Sequence, residues 1–171
     1  MRAPPTLILV LAVTAVLGGC GKPAPDQASS PDDAAATPAQ PTPAQAQALL
    51  ASLPAPFNTG DPDHGKHLFA QCQACHTNTQ GGPNMTGPNL YGIFGRKAGT
   101  AADYSYSDAV KSAGFTWDAA RLNTWITDPR AMLPGTKMTF MGLKDPKDRA
   151  DVIAYLKVST TPLPAAPAAA Q

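Results

Sequence analysis

A cysteine pair followed by a histidine carries the most specific chemistry in this sequence. Residues 72–76 read CQACH, with thiols at Cys72 and Cys75 and an imidazole at His76. A CxxC pair alone fits a redox dithiol, half of a zinc site or a disulfide. Zinc would need a second ligand pair, but no cysteine follows Cys75, and a thioredoxin-like site would need a βαβ pattern that the sequence lacks. Two thiols at this spacing can add to the two vinyl groups of a haem while the adjoining imidazole binds its iron, so the motif indicates one covalently bound haem c.

The identity of the sixth ligand of the haem iron is a separate question, and the sequence offers several candidates. A soft thioether there favours electron transfer, whereas an open position favours gas binding or peroxide chemistry. Met138 ends the segment LPGTKM, residues 133–138, whose Pro-Gly turn can hold one side chain toward a buried flat group. His64 and His67 precede the attachment motif on the same predicted helix and point along it. The remaining candidates are Met85, Met132 and Met141.

A folded unit at residues 59–159 must position these side chains. It contains three Asp-Pro pairs, in which Asp can cap a helix while Pro fills the first helical position. Apolar spacing and these caps predict helices over residues 62–75, 107–113, 117–127 and 146–158, with Thr116 as the cap of the third. Because residues 81–99 are rich in glycine and no strand-period run is convincing, we expect an all-α, small and loop-rich fold. Such a domain gains stability from a large internal cofactor.

The N-terminus has the features of a bacterial export signal with a lipid attachment site. An apolar run at residues 6–16 is too short to span a membrane but has the length of a signal-peptide core. The LGGC sequence that ends at Cys20 resembles the lipobox of bacterial lipoproteins, in which the signal is removed and the cysteine is acylated. We therefore interpret residues 1–19 as a lipoprotein signal peptide and Cys20 as lipidated, the alternative being ordinary cleavage with Cys20 a passenger. The expected location is the bacterial cell membrane, with the domain facing the periplasm.

Both ends of the folded unit are rich in proline and alanine. Residues 21–58 contain eight prolines and eleven alanines, a composition that buries too little apolar area to offset the entropy of ordering. We interpret residues 20–58 as a lipid-anchored linker, whose r.m.s. reach as a coil would be ~35 Å. Within it, residues 44–53 could form a short helix whose leucines dock on the domain. Residues 160–171 are expected to form a disordered tail.

Charge and cysteine count narrow the class of protein further. The chain has 13 Lys+Arg against 12 Asp+Glu, a formal charge of +1, whereas nucleic-acid-binding proteins carry a basic excess. No nucleic-acid partner is therefore expected. The three cysteines cannot all pair within one chain, and the division into Cys20 for lipid and two thiols for haem leaves none for a disulfide.

Between residues 65 and 157 the sequence resembles class I cytochrome c, in the branch that includes mitochondrial cytochrome c. The stretches that carry the resemblance are GKHLFAQCQACH at 65–76, TGPNLYGIFGRKAG at 86–99 with YSYSDA after it, LPGTKMTF at 133–140 and DVIAYLK at 151–157. Their order and spacing match the family. The resemblance implies the cytochrome c fold wrapped around one covalent haem.

The resemblance also implies roles for individual residues. His76 and Met138 correspond to the axial ligands, Cys72 and Cys75 to the thioether anchors, and the carbonyl of Pro88 to the acceptor of the second ring N–H of the histidine. The residues that correspond to donors toward a haem propionate are Arg96, Tyr106 and Trp117. The residues implied to meet where the first and last helices cross are Gly65, Phe69, Val152, Tyr155 and Leu156.

Four residues depart from the family pattern. Trp125 stands where a tyrosine is usual near the axial methionine, and Val110 stands where mitochondrial members have asparagine, so polar atoms are lost from the interior side of the haem. Met85 and Asp145 stand where lysine is usual. The haem edge is therefore expected to be more apolar and less basic than in the mitochondrial proteins.

The function that the resemblance implies is one-electron transfer by a membrane-tethered carrier. It would dock transiently on membrane-bound redox complexes and shuttle electrons between a quinol–cytochrome c reductase and a terminal oxidase. Neither an enzymatic activity nor a small-molecule substrate is expected. The alternative is a fixed electron-entry cytochrome subunit of a dehydrogenase or oxidase complex, while a peroxidase or gas-binding protein would need an open sixth position.

Overall fold

The structure, a computed structural model, describes residues 40–164. Its helices are α1 (Pro43–Ala51), α2 (Pro62–Gln73), α3 (Asp108–Lys111), α4 (Ala119–Thr127), α5 (Pro129–Met132) and α6 (Pro146–Thr160), with a 3-10 turn η1 (Phe57–Thr59). In this range there is no β-strand, only an isolated bridge between Lys97 and Thr116, so the predicted all-α class is confirmed. No helix within residues 40–164 is both long and apolar enough to cross a membrane. The predicted signal peptide, Cys20, the first part of the linker and the end of the tail lie outside the described residues.

The Asp-Pro pairs begin three helices, as their capping chemistry predicts. The carboxylates of Asp61, Asp128 and Asp145 accept hydrogen bonds from backbone N–H groups in the first turns of α2, α5 and α6. In each helix the following proline occupies the first helical position, where its missing N–H is not needed. Helix α5 was not predicted from the sequence because four residues are too few to show an apolar period.

Several predicted helix boundaries are wrong by a few residues. Helix α4 begins at Ala119, because Asp118 and not Thr116 is its cap and accepts from the N–H of Arg121 at 2.7 Å. Helix α2 ends at Gln73, before the second cysteine of the motif. Helix α3 covers only the middle of its predicted range, while α6 continues two residues farther, to Thr160.

The tightest packing lies where α2 crosses α6, the pair implied by the resemblance. A Cβ placed on Gly65 would overlap the backbone carbonyl of Asp151 and lie 2.9 Å from the Cβ of Tyr155. Phe69, one turn farther along α2, is 1% exposed, and its ring lies 5.2 Å from that of Tyr155 between centroids. Only a glycine permits this approach of the two backbones, so any larger residue at position 65 would push the helices apart.

The segment of residues 42–60, here called the N-terminal strap, packs against α6. Thr42 and Gln45 form a reciprocal capping box that begins α1, and Leu53 and Phe57, at 6% and 8% exposure, belong to the same apolar core as α6. The predicted domain boundary at residue 59 therefore falls inside a packed segment. At the other end Thr160, where the predicted tail begins, is fully buried, and its hydroxyl donates to the carbonyl of Leu156 at 2.7 Å.

A buried carboxylate joins the start of α2 to α6. Asp151 is 1% exposed and accepts from the backbone N–H of Asp61 at 2.8 Å, from the ring of His64 at 2.8 Å and from the ammonium of Lys147 at 2.6 Å. Burial acts to raise the pKa of the Asp151 carboxyl, but the hydrogen bonds from these three donors outweigh it and hold the pKa below its usual value. The carboxylate is thus ionised at neutral pH.

We expect Asp151→Asn to destabilise the protein near neutral pH by on the order of 2 kcal/mol, because the amide leaves buried donors poorly paired. A depressed pKa contributes stability above the unfolded-state pKa, and this contribution is lost as pH falls through the folded-state pKa. The difference in unfolding free energy between wild type and variant should therefore shrink below about pH 4. Denaturant unfolding across pH measures it, with exposed Asp63→Asn as the control. A difference that stays constant to low pH would contradict this account.

Candidate haem site

One cavity of about 260 Å³ brings together all the residues that the sequence predicts for the site. Its walls are largely apolar and come from α2, α4, α6 and the long loops between them. The eight predicted residues that line it are Cys72, Cys75, His76, Pro88, Arg96, Tyr106, Trp117 and Met138. Residues separated by up to 66 positions in the chain therefore share a single pocket.

The cysteine motif lies at the C-terminal end of α2, where the helix turns into the cavity. The backbone N–H groups of Cys75 and His76 both donate to the carbonyl of Cys72, at 3.0 and 2.9 Å. This tight turn replaces the helical turn that the sequence predicted there. The two thiols are not joined as a disulfide. Burial first, and the nearby Cys75 second, raise the pKa of the Cys72 thiol to about 11, so in the haem-free chain this thiol is protonated at neutral pH.

The imidazole of His76 is oriented by a neighbouring loop. Its Nδ1 lies 2.7 Å from the carbonyl oxygen of Pro88, which can only accept, so Nδ1 carries the proton and Nε2 keeps its lone pair. Burial lowers the pKa of the His76 ring, an effect that the Pro88 hydrogen bond opposes and the nearby Arg96 reinforces. The ring is thus neutral at physiological pH, which is the form that binds a metal.

Gly87 makes room for this ring and was not singled out in the sequence. A Cβ at position 87 would overlap Cε1 of His76 and lie 2.6 Å from Nδ1. The backbone N–H of Gly87 also donates to the carbonyl of Cys75 at 2.8 Å, which ties the loop to the attachment motif. A glycine beside a proline in a loop gives no sign by sequence alone that a ring will pack against its Cα.

Among the described methionines, Met138 is the one that lines the cavity. It is half-buried and follows a turn with Gly135 at φ 88°, and its N–H lies 3.3 Å from the hydroxyl of Thr136. Met85 and Met141 are 47% and 81% exposed. Of the alternative histidines, His64 is bonded to Asp151 outside the cavity and His67 is exposed.

The polar side of the cavity is formed by buried donors. The guanidinium of Arg96 donates to the carbonyls of Asn89 at 3.0 Å and Tyr91 at 3.3 Å, and burial lowers the pKa of this group. The Tyr106 oxygen accepts from the N–H of Ala101 at 3.4 Å, so its own proton remains available to donate. Burial, the largest effect, raises the pKa of the Tyr106 hydroxyl and keeps it protonated.

Ser107 is a further polar residue of this cavity that the sequence suggested only as part of a helix. Within residues 40–164, its hydroxyl is a buried side-chain oxygen with no hydrogen-bond partner. It lies in the cavity wall beside Tyr106. A buried hydroxyl without a partner is costly, so it points to a polar group of the molecule that fills the cavity.

The two interior departures from the family pattern also line the cavity. Trp125 packs edge-on against Trp117 with ring centroids 5.5 Å apart, and Val110 is 6% exposed. Together with Leu122 and Ile126 they make this side of the cavity apolar. The wall therefore suits a flat hydrophobic ring system.

The residues present fit a covalently attached haem on four counts. The cavity provides two thiols at the attachment spacing, an imidazole with a defined tautomer, a thioether, and polar donors on one side where acidic groups of a haem can be paired. The partnerless hydroxyl of Ser107 is a feature that a bound group with polar substituents explains.

Comparison with known proteins identifies the same class. The sequence model for cytochrome c matches residues 62–160. Cytochrome c from Theileria parva is 50% identical over 103 residues, which cover 60% of this chain and 89% of that protein. Cytochrome c2 from Rhodomicrobium vannielii is 48% identical over 103 residues, covering 58% of this chain and 80% of that protein. The solved structure of cytochrome cH from Methylobacterium extorquens has 49% identity and a TM-score of 0.54, covering 57% of this chain and 98% of that one.

The cavity and its donors define a c-type haem protein with a small all-α fold. The chain belongs to the cytochrome c family. It is an electron carrier that binds one haem c, held through Cys72 and Cys75.

Proposed function

We propose that the chain transfers single electrons between a quinol–cytochrome c reductase and a terminal oxidase, without making or breaking a substrate bond. The observation that supports this most is the meeting of a thiol pair, a neutral imidazole and a thioether in one largely apolar cavity. A haem bound there supplies an iron that alternates between Fe(III) and Fe(II).

In this proposal His76 and Met138 would bind the haem iron. The Pro88 carbonyl holds the histidine ring in one tautomer and one orientation, so that its Nε2 is the ligand atom. Met138 is the described methionine with access to the cavity, and the Pro-Gly turn before it restricts its backbone. A ligand pair that both oxidation states share leaves no open position for peroxide or gas chemistry.

The buried donors have a second role, which is to pair the haem carboxylates. Arg96, Tyr106 and Trp117 are assigned to this task, and Ser107 joins them because its buried hydroxyl lacks a protein partner. An unpaired carboxylate in a low-dielectric interior is costly, so each donor stabilises the loaded protein.

The surface beside the cavity is proposed to dock on redox partners mainly through apolar contacts. Met85 and Met141, the exposed pair called here the methionine rim, adjoin residues that line the cavity. Residues 61–157 carry 11 Lys+Arg and 9 Asp, a charge of +2 that two haem carboxylates would cancel. The ammonium groups of Lys137 and Lys144 each donate to a backbone carbonyl at 3.1 Å.

We also propose that the protein is attached to the bacterial cell membrane through acylated Cys20, with the haem domain in the periplasm. The support is the short apolar run and the LGGC sequence that ends at Cys20. A carrier held on the same membrane as its partners gains effective concentration, so it needs less long-range charge steering. The near-neutral haem domain and the proposed anchor are thus consistent with each other.

A fixed electron-entry subunit of a dehydrogenase or oxidase complex is the second candidate. Stable co-purification with a larger complex would select this alternative over a transient carrier.

Met138→Leu is expected to leave the haem covalently attached but to abolish the weak red absorption band of a methionine-ligated ferric haem. The reduction potential should fall by on the order of 0.2 V, a fraction of the ~0.8 V range that axial ligands span. Spectroscopy and redox titration of the purified protein measure both effects. The control is Met132→Leu, a half-buried methionine outside the cavity. If the red band persists in the Met138 variant, another residue is the ligand.

Electron delivery to an isolated terminal oxidase is expected to depend only weakly on salt. Between roughly 0.01 and 0.15 M salt the Debye length falls from about 30 to about 8 Å, yet the rate should change by about twofold or less. Met141→Lys adds a cation at the methionine rim and should make the dependence steeper. A fall of about tenfold or more with the wild-type protein would contradict mainly apolar docking.

Cys20→Ser is expected to move the protein from the membrane fraction to the soluble fraction while haem staining stays unchanged. The reason is that acyl chains on Cys20 would supply the anchor. Fractionation with mass spectrometry of the N-terminal peptide measures the change. Recovery of the wild-type protein as a soluble, unacylated chain would refute the anchor and leave the haem assignment intact.

A further inference from the structure

Helix α6 has separate faces for the cofactor cavity and for the N-terminal strap. Val152 and Leu156 line the cavity. On the other side, a Cβ at Gly60 of the strap would lie 2.5 Å from the carbonyl oxygen of Ala150 and 2.9 Å from the Cβ of Ala154. At about 100° per residue, positions 150 and 154 are rotated by roughly 200° from positions 152 and 156. The end of the strap at Gly60 and the cavity therefore lie on opposite sides of the helix.

The strap is held by its own apolar contacts. Leu53 and Phe57 belong to the buried core, and Leu50 packs against it from α1. The N–H of Asp61, the residue that follows the strap and caps α2, donates to buried Asp151 of α6. No described residue of the strap lines the cavity. The match to the cytochrome c family begins at residue 62, so the strap precedes the part of the chain that the family shares.

We propose that the strap fixes the point where the N-terminal part of the chain joins the domain, on the side of α6 away from the haem. A partner protein can then approach the methionine rim without displacing the proposed anchor at the N-terminus. The docking half of this proposal, which is the approach of a partner to the methionine rim, rests on the proposed electron-carrier function. The structural half, the fixed strap, does not depend on partner or membrane.

The structural half is tested by digesting the haem-loaded full chain with subtilisin. Leu53→Ser/Phe57→Ser removes the two buried contacts, so cleavage within residues 42–60 should be faster than in the wild type by at least about tenfold, which corresponds to a loss of ~1.4 kcal/mol of local stability. The matched control is Ala48→Ser/Ala51→Ser, on exposed positions of α1, and it should digest like the wild type. An unchanged haem spectrum shows that the domain remains folded. Wild-type cleavage in the strap as fast as in the double variant would overturn the proposal.

The docking half is tested with a bulky group at two positions. Gln47→Cys in the strap and Met141→Cys at the rim, each combined with Cys20→Ser, are coupled to the same small globular protein through a maleimide. Attachment at position 47 should leave the electron-transfer rate to a purified terminal oxidase within about twofold of the uncoupled protein. Attachment at position 141 should lower it by about tenfold or more, within the one to three decades over which association rates vary at one interface.

The outcomes of this second experiment separate the two proposals. Equal slowing from both positions would overturn the opposite-face arrangement. A failure of the uncoupled variants to reduce the oxidase at all would contradict the proposed carrier function and the docking half together, while the digestion would still decide the strap. Reduction by a small chemical reductant should be equally fast in all forms, which confirms that the coupled proteins keep an accessible haem.

Discussion

The close crossing of α2 and α6 at Gly65 is the constraint on which the rest of the structure depends. Because no side chain separates the two backbones at Gly65, α6 lies close to α2. The face of α6 that carries Val152 and Leu156 therefore forms one wall of the cavity that Cys72 also lines. The same helix also packs against the strap at Ala150 and Ala154, so most of its central residues are buried. A helix covered on several faces cannot shift without disturbing the attachment motif, the cavity and the strap together. This explains why the crossing holds a glycine and why the buried Asp151 beside it is fully hydrogen-bonded.

The site gains its rigidity from loops as much as from helices. His76 follows the end of α2 in a tight turn, and its ring is held between the Pro88 carbonyl and the Cα of Gly87. These contacts are made within the protein, so the orientation of the ring does not depend on the charge of a bound iron. An electron carrier benefits from such a ring because geometry that stays the same in both oxidation states keeps the reorganisation cost small. Loops can supply this precision here because each is tied to a helix by a backbone hydrogen bond.

Much of this arrangement was predictable from the sequence, and the remainder was not for identifiable reasons. The CQACH motif and the Asp-Pro caps act locally, so they indicated the attachment site and the starts of α2 and α6. The gathering of Arg96, Tyr106 and Trp117 in one cavity followed from the family resemblance and not from their spacing. Ser107 was missed because a serine before a helix is an ordinary cap, and only its burial without a partner marks it. A short helix with docking leucines at residues 44–53 was suggested from the sequence, and α1 and buried Leu53 agree with it; Phe57 was missed because it lies in a Pro/Ala-rich segment whose average composition conceals a buried anchor.

A basic docking surface and the proposed attachment of the N-terminus to a membrane are two ways to raise the rate at which a carrier meets its partners. A soluble carrier must find its partners by diffusion, and a basic surface raises the encounter rate with acidic ones. A carrier proposed to stay on the membrane of its partners already has a high encounter rate, so fixed cations would mainly slow its release. For that solution to work, the attachment must not cover the surface that docks. The packing of Gly60 against Ala150 and Ala154, on the side of α6 opposite Val152 and Leu156, agrees with this requirement. If the N-terminus is held as proposed, the strap gives a mechanical reason why a near-neutral cytochrome could still exchange partners.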